Sequence, residues 1–213
     1  MAKSPFKVVG RKSIYKGRII ELIREILEID GKRWVRETVL HPGAVVIVPV
    51  LPDGRVVLIR QYRRAIGRFI LEIPAGTRDK KESPSACAHR ELTEETGWKA
   101  KRMTKLAQFY SAPGFTSELM ILYLATKLEP GDARPEPDEW VKPVVVPMAE
   151  ALRRVLSGKI VDAKTIIGLL LADAHLHGAA RKRRLPASPK SAKIGPLQFA
   201  STSSFHGGRS SAG

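Results

Sequence analysis

The 213-residue chain contains no asparagine, and its only glutamines are at positions 61, 108 and 198. Depletion of these thermolabile amides suits a protein from a hot habitat. A single cysteine, Cys87, excludes an internal disulfide and a cysteine-rich zinc framework, and it fits a reducing compartment. No apolar run approaches the roughly 18 to 20 residues of a membrane span, and the start MAKSPFKVVG carries no apolar signal-peptide core. A cytoplasmic protein with no membrane partner is therefore expected. Acids are outnumbered, 21 against 37 Lys and Arg, for a formal charge of +16. The imbalance is uneven, because residues 175–213 hold seven of the basic residues and no acid at all. Such charge usually points to nucleic acid or an anionic surface. Here the basic run RKRR at 181–184 lacks interleaved aromatics, so nucleic acid is not the expected partner.

What the chain does have is 43% hydrophobic and 27% charged residues, enough for an ordinary buried core. The stretch 19–29 (IIELIREILEI) carries apolar residues at both helical and strand spacing, and the Asp30-Gly31 turn signal that follows favours a β-hairpin with a second strand near 33–40. If 19–29 is a strand, Ile20, Leu22 and Ile26 suit its apolar face. Residues 44–51 and 55–62, rich in Val and Ile around the turn Pro52-Asp53-Gly54, read as a second hairpin. A short strand is expected at 69–73. Ser83-Pro84 supplies an N-cap and a first-turn proline for a helix over 84–96 that Gly97 stops. Strands follow at 103–110, 119–127 and from Trp140 onward, then helices at 148–158 and 162–175. Residues 178–213 show no periodicity and are expected to be a disordered basic tail.

Between Gly76 and Trp98 the chain reads GTRDKKESPSACAHRELTEETGW. Glu91, Glu94 and Glu95 stand at i, i+3 and i+4, so a helix brings all three carboxylates to one face. Three like charges destabilise a helix unless cations neutralise them, and hard oxygen ligands suit Mg²⁺ or Mn²⁺. Arg90 can hold a neighbouring carboxylate by a bidentate pair, with Glu82 or Glu94 as its partner.

Gly76, Glu82, Arg90, Glu91, Glu94, Glu95 and Gly97, with Leu92 in the apolar slot, match every fixed letter of the Nudix box, G-x5-E-x7-R-E-U-x-E-E-x-G-U, where U is a bulky apolar residue. At typical residue frequencies a chance match at one start is on the order of 10⁻⁹ to 10⁻⁸. Arg60-Gln61-Tyr62-Arg63, Glu72-Ile73-Pro74-Ala75-Gly76 and Tyr110-Ser111-Ala112-Pro113-Gly114-Phe115 further resemble the ADP-ribose pyrophosphatase branch, over about residues 15 to 175. The resemblance implies an α/β fold, the Nudix α/β/α sandwich with a mixed sheet and an N-terminal β-hairpin region. It divides the chain into an N-terminal β region for dimerisation and the adenine pocket (1–42), a hydrolase domain (43–177) and the tail (178–213).

The implied activity is metal-dependent hydrolysis of a nucleoside diphosphate compound, with ADP-ribose as first choice and a nucleotide sugar, dinucleotide or FAD as alternatives; an RNA-binding protein on a Nudix scaffold, using the basic tail, ranks below these. Metal ions, Mg²⁺ or Mn²⁺, would be held by Glu91, Glu95 and the Ala75 carbonyl, with Glu94 as a further ligand or a catalytic acid beside Arg90. Arg63 would contact the diphosphate, and Glu72 would assist the metal site or cap the sheet edge. A glutamate of the late acidic loop, Glu139 first and Glu136 second, would act on the attacking water. Pro113 and Gly114 would shape the loop facing the substrate. Trp34 would stack on adenine across a homodimer, or pack in the core.

Overall fold

The computed structural model describes residues 4–78, 81–133 and 140–182. Three strands, β1 (Lys7–Lys16), β2 (Glu21–Ile29) and β3 (Lys32–Leu40), form an antiparallel sheet in that order. Asp30 and Gly31, both at positive φ (49° and 72°), close the β2–β3 turn, as an Asp-Gly pair does when it matches the twist of its strands. The ambiguous stretch 19–29 is thus a strand from Glu21, but its buried side is the odd-numbered one. Ile23 and Leu27 are buried while Ile26 of the expected face is exposed, because a one-residue offset sends every side chain to the opposite face. Strand β1 was not expected from the sequence: its residues, KVVGRKSIYK, are almost all exposed and carry no apolar alternation.

Four further strands, β7 (Ala75–Thr77), β4 (Ala44–Pro49), β9 (Leu119–Pro130) and β8 (Trp98–Tyr110), form a mixed sheet in which β4 runs parallel to β9. Strands β10 (Val141–Pro147), β5 (Arg55–Arg63) and β6 (Arg68–Glu72) form a third sheet. The expected hairpin of 44–51 with 55–62 is therefore corrected. Only Val50 and Val56 bridge the turn, and the strands then part into different sheets. Both edges of β4 are already taken: β7 pairs with Ala44–Val46, Ile47 N–H donates to the Pro74 carbonyl (2.9 Å), and β9 fills the other side. Pro49 also has no N–H with which to continue a ladder.

Both faces of β4 are covered, as its unbroken apolar run requires. Val45 and Ile47 pack with Cys87, Ala88 and Leu92 of helix α1 (Pro84–Thr96). Val46 and Val48 pack with Ala151 of α2 (Met148–Leu156) and Leu169 and Ala172 of α3 (Ala163–Lys182). The result is an α/β/α sandwich. Helix α3 runs seven residues past its expected end at 175, and so past the expected start of the tail at 178; residues 183–213 lie outside the described residues. Among the described residues no helix is long and apolar enough to cross a membrane.

Candidate active site

Helix α1 is fixed at both ends, and this sets the direction of its acids. Ser83 Oγ accepts the Ala86 N–H (3.2 Å), and Gly97, at φ 72°, donates its N–H to the Thr93 carbonyl (2.9 Å). The first is an N-cap and the second an αL C-terminus. With Leu92, Ala88 and Cys87 packed on β4, Glu91 and Glu95 meet strand β7. Glu95 is buried, and its Oε2 accepts the Ala75 N–H at 3.0 Å. A Cβ on Gly76 would lie 1.9–2.4 Å from the Glu91 carboxylate. This contact explains why position 76 needs glycine. Gly76→Ala should displace that flexible carboxylate rather than backbone, so activity should fall at least tenfold while the melting temperature stays within a few degrees. A thermal melt beside an activity assay checks this, and an active Gly76→Ala protein would contradict it.

Arg90 organises the remaining acids. Its guanidinium donates to Glu82 (2.7 Å) and Glu94 (2.8 Å) and lies 2.8 Å from Glu91, so both expected partners are engaged. Every donor that Glu91, Glu94, Glu95 and the Ala75 carbonyl can offer is a hard oxygen, and Gly76 leaves the strand backbone open to the Glu91 carboxylate. The residues present therefore fit Mg²⁺ or Mn²⁺. With Glu91 and Glu94 turned onto Arg90, no three His, Cys, Asp or Glu side chains among the described residues already converge on one point.

A cleft of about 280 Å³ opens beside these acids, lined by Arg18, Ile19, Gln61, Arg63, Ala75, Gly76, Thr77, Glu91 and Glu94. Arg63 reaches it on a rigid mount. Glu72, fully buried, accepts two 2.6 Å hydrogen bonds from Arg63 and pairs with Lys164, which lies 3.0 Å from Asp162. Burial pushes the Glu72 carboxyl up, but the Arg63 hydrogen bonds and the Lys164 charge outweigh it and hold the group below its usual range. Glu72 is thus an anchor for Arg63 and Lys164 at the end of the edge strand β6. Asp162 in turn caps α3, accepting the Thr165 N–H at 3.0 Å, and Thr165 Oγ1 accepts the Ile73 N–H at 2.9 Å.

The other expected site residues lie elsewhere. Trp34 sits on β3 opposite Leu27 and is 46% exposed, so it is not part of its own chain's core. Pro113 and Gly114 belong to the β8–β9 loop, which is tied to β3 through Val39 N–H to the Phe115 carbonyl (2.8 Å) and lines no part of the cleft. Glu136 and Glu139 lie outside the described residues. Cys87 is buried, with burial pushing its thiol up to about 12, which makes it a packing residue and not a nucleophile. Arg18, Asp162 and Lys164 carry no signal in the sequence that marks them as site residues, and Gln61 appears there only as a member of the Arg60–Arg63 segment. A larger groove of about 820 Å³, lined by Leu51, Met148, Leu152 and Leu176, holds none of the box residues.

A sequence model of the NUDIX domain matches residues 40–166. The chain is 40% identical over 162 residues to the ADP-ribose pyrophosphatase of Bacillus subtilis (strain 168), covering 75% of this chain and 88% of the relative. It is 39% identical over 191 residues to the ADP-ribose pyrophosphatase of Mycobacterium tuberculosis (strain ATCC 25618 / H37Rv), covering 87% and 91%. Among solved structures, one described as an ADP compounds hydrolase superposes with a TM-score of 0.75 at 27% identity, over 85% of this chain and 99% of that one. An intact box on a capped helix, the α/β/α sandwich around it and these matches together make the chain a member of the Nudix family.

Proposed function

We propose that the protein hydrolyses the diphosphate of ADP-ribose to AMP and ribose 5-phosphate, with Mg²⁺ or Mn²⁺ at the carboxylate face of α1. The observation that carries this reading is the cleft itself, which Arg63 lines together with Ala75, Gly76, Glu91 and Glu94. A guanidinium and a carboxylate cluster in one cleft suit a diphosphate bound between a cation and metal ions. The names of the two relatives and of the superposed structure agree with it.

In this reading Arg63, oriented by Glu72, binds a phosphate oxygen and keeps the diphosphate in register. Glu91, Glu95 and the Ala75 carbonyl would hold the ions, with Glu94 beside them, and Arg90 sets the carboxylates in place. When bound, the ions would make a water more acidic and neutralise charge on the leaving phosphate. Glu139, or failing it Glu136, takes a proton from that water as general base. A panel of ADP-ribose, nucleotide sugars, dinucleotides and FAD, assayed with Mg²⁺, should give the highest kcat/KM for ADP-ribose. A tenfold preference for another compound would reassign the substrate.

The N-terminal sheet supports a homodimer in the same reading. Tyr15, Ile26 and Val35 are exposed on one face of it and Val8 and Trp34 on the other, apolar side chains that a second copy could cover. Trp34 would then complete the partner's adenine pocket. Stacking of an indole on adenine is worth about 1 to 3 kcal/mol, so Trp34→Ala should raise KM for ADP-ribose about 5- to 150-fold with little change in kcat. Light scattering gives the mass, and steady-state kinetics the KM. A monomer at micromolar concentration, or an unchanged KM, would return Trp34 to the role of a plain surface residue.

A further inference from the structure

Two buried side-chain polar atoms have no hydrogen-bond partner among the described residues, Gln61 Oε1 and Arg78 Nε. Orphaned buried groups are rare in folded proteins, and each calls for a physical reason. Both lie on one continuous depression. Gln61 lines the diphosphate cleft, and Arg78 lines an adjoining groove of about 430 Å³ that shares Arg18, Ile19 and Thr77 with it. Its lining includes three cations, Lys16, Arg18 and Arg78, and three apolar residues, Ile20, Leu40 and Pro42. Glu21 is the one carboxylate among its lining residues.

Among the described residues the three cations have no carboxylate partner, as Arg33, Arg36 and Arg60 also have none, but here they share one groove. Arg24, Arg55, Arg63, Arg90, Arg153 and Arg154 all hold carboxylates, whereas Lys16, Arg18 and Arg78 form no ion pair among the described residues. Arg78 is nonetheless held in place: its N–H donates to the Gly43 carbonyl (3.1 Å), and its side chain lies against Gly43. His41, which also lines the groove, accepts the Gly43 N–H at Nδ1 (3.0 Å) and is 3.7 Å from Glu118, so the three cations against the single carboxylate of Glu21 leave the groove with an excess of positive charge.

We propose that this groove is an anion subsite that binds a phosphate monoester carried by the substrate in addition to its diphosphate. The inference rests on the reading above, that the carboxylate face hydrolyses a nucleoside diphosphate. A third phosphate meets Arg78 and Arg18, the guanidinium fork being well suited to phosphate oxygens, while the apolar residues take the sugar or base beside it. The favoured substrate class is then a nucleoside diphosphate compound phosphorylated on a ribose hydroxyl.

The test compares ADP-ribose with ADP-ribose bearing a 2′-phosphate on its adenosine ribose, using the full-length protein and Mg²⁺. The parent should show a kcat/KM about 10-fold or more higher for the phosphorylated compound, the worth of a charge-assisted hydrogen bond. Arg78→Met should bring that ratio close to one, and Arg18→Met should lower it in the same direction if Arg78→Met does not fold. A parent ratio of one or less, or an Arg78→Met ratio equal to the parent's, overturns the proposal. Calorimetric binding of both compounds to the Glu95→Gln protein separates the two readings. If neither compound is hydrolysed by the parent, the hydrolase reading fails, yet tighter binding of the phosphorylated compound would still support the subsite and equal binding would overturn it.

Discussion

Glu95→Gln lowers kcat for ADP-ribose about 10³-fold or more and leaves the melting temperature near that of the parent. The side chain is 3% exposed and its Oε2 accepts the Ala75 N–H. Glutamine keeps the volume and offers its own carbonyl oxygen to the same N–H, so packing and the β7 contact persist. The negative charge is lost, and with it a ligand that stabilises the transition state by several kcal/mol. A loss of kcat larger than any change in KM would mark an interaction made in the transition state. Calorimetry with Mg²⁺ alone should show weakened binding. Turnover within a factor of ten of the parent would remove Glu95 from the site.

Glu72→Gln should be the most destabilising of the conservative changes, by about 3 to 5 kcal/mol, because it leaves the buried Lys164 and the half-buried Arg63 facing a neutral group. The same carboxylate makes stability depend on pH. Its folded value lies below the ordinary one, so its contribution is present above the unfolded value of about 4.3 and is lost as pH falls through the folded value. Urea unfolding between pH 3 and 7 should show the parent weakening on the acid side, with a shallower slope for Glu72→Gln. A double change, Glu72→Leu with Lys164→Met, should recover part of the loss by removing two of the buried charges together. A Glu72→Gln protein within 1 kcal/mol of the parent at pH 7 would contradict the account of this network.

The parts of this molecule that are local in sequence were legible from it. Glu91, Glu94 and Glu95 announce their shared face by spacing alone, and Ser83, Pro84 and Gly97 mark the ends of their helix. What was hidden depends on contacts far along the chain. Lys164 and Glu72 are 92 residues apart, and Lys164 differs in no local way from any lysine near a helix start. The 44–51 and 55–62 segments look like a hairpin because the turn between them is a good one. Their pairing is decided instead by β7, β9 and β10, which arrive later in the chain and compete for the same edges. Strand β1 escaped notice for the opposite reason, since its exposed residues carry no apolar period, and its pairing with β2 rests on backbone hydrogen bonds. Arg78 and Gln61 stand out only once the atoms around them are known.

The central claim is that the α1 carboxylates and Arg63 frame a diphosphate-hydrolysing site. Phosphorus NMR of ADP-ribose incubated with the protein and Mg²⁺ tests it most directly. The account predicts that the diphosphate resonances disappear and that two monoester resonances, from AMP and ribose 5-phosphate, grow in equal amounts, with no change in a parallel sample of Glu95→Gln. Persistence of the diphosphate signals with the parent protein, or their equal loss with Glu95→Gln, would contradict it.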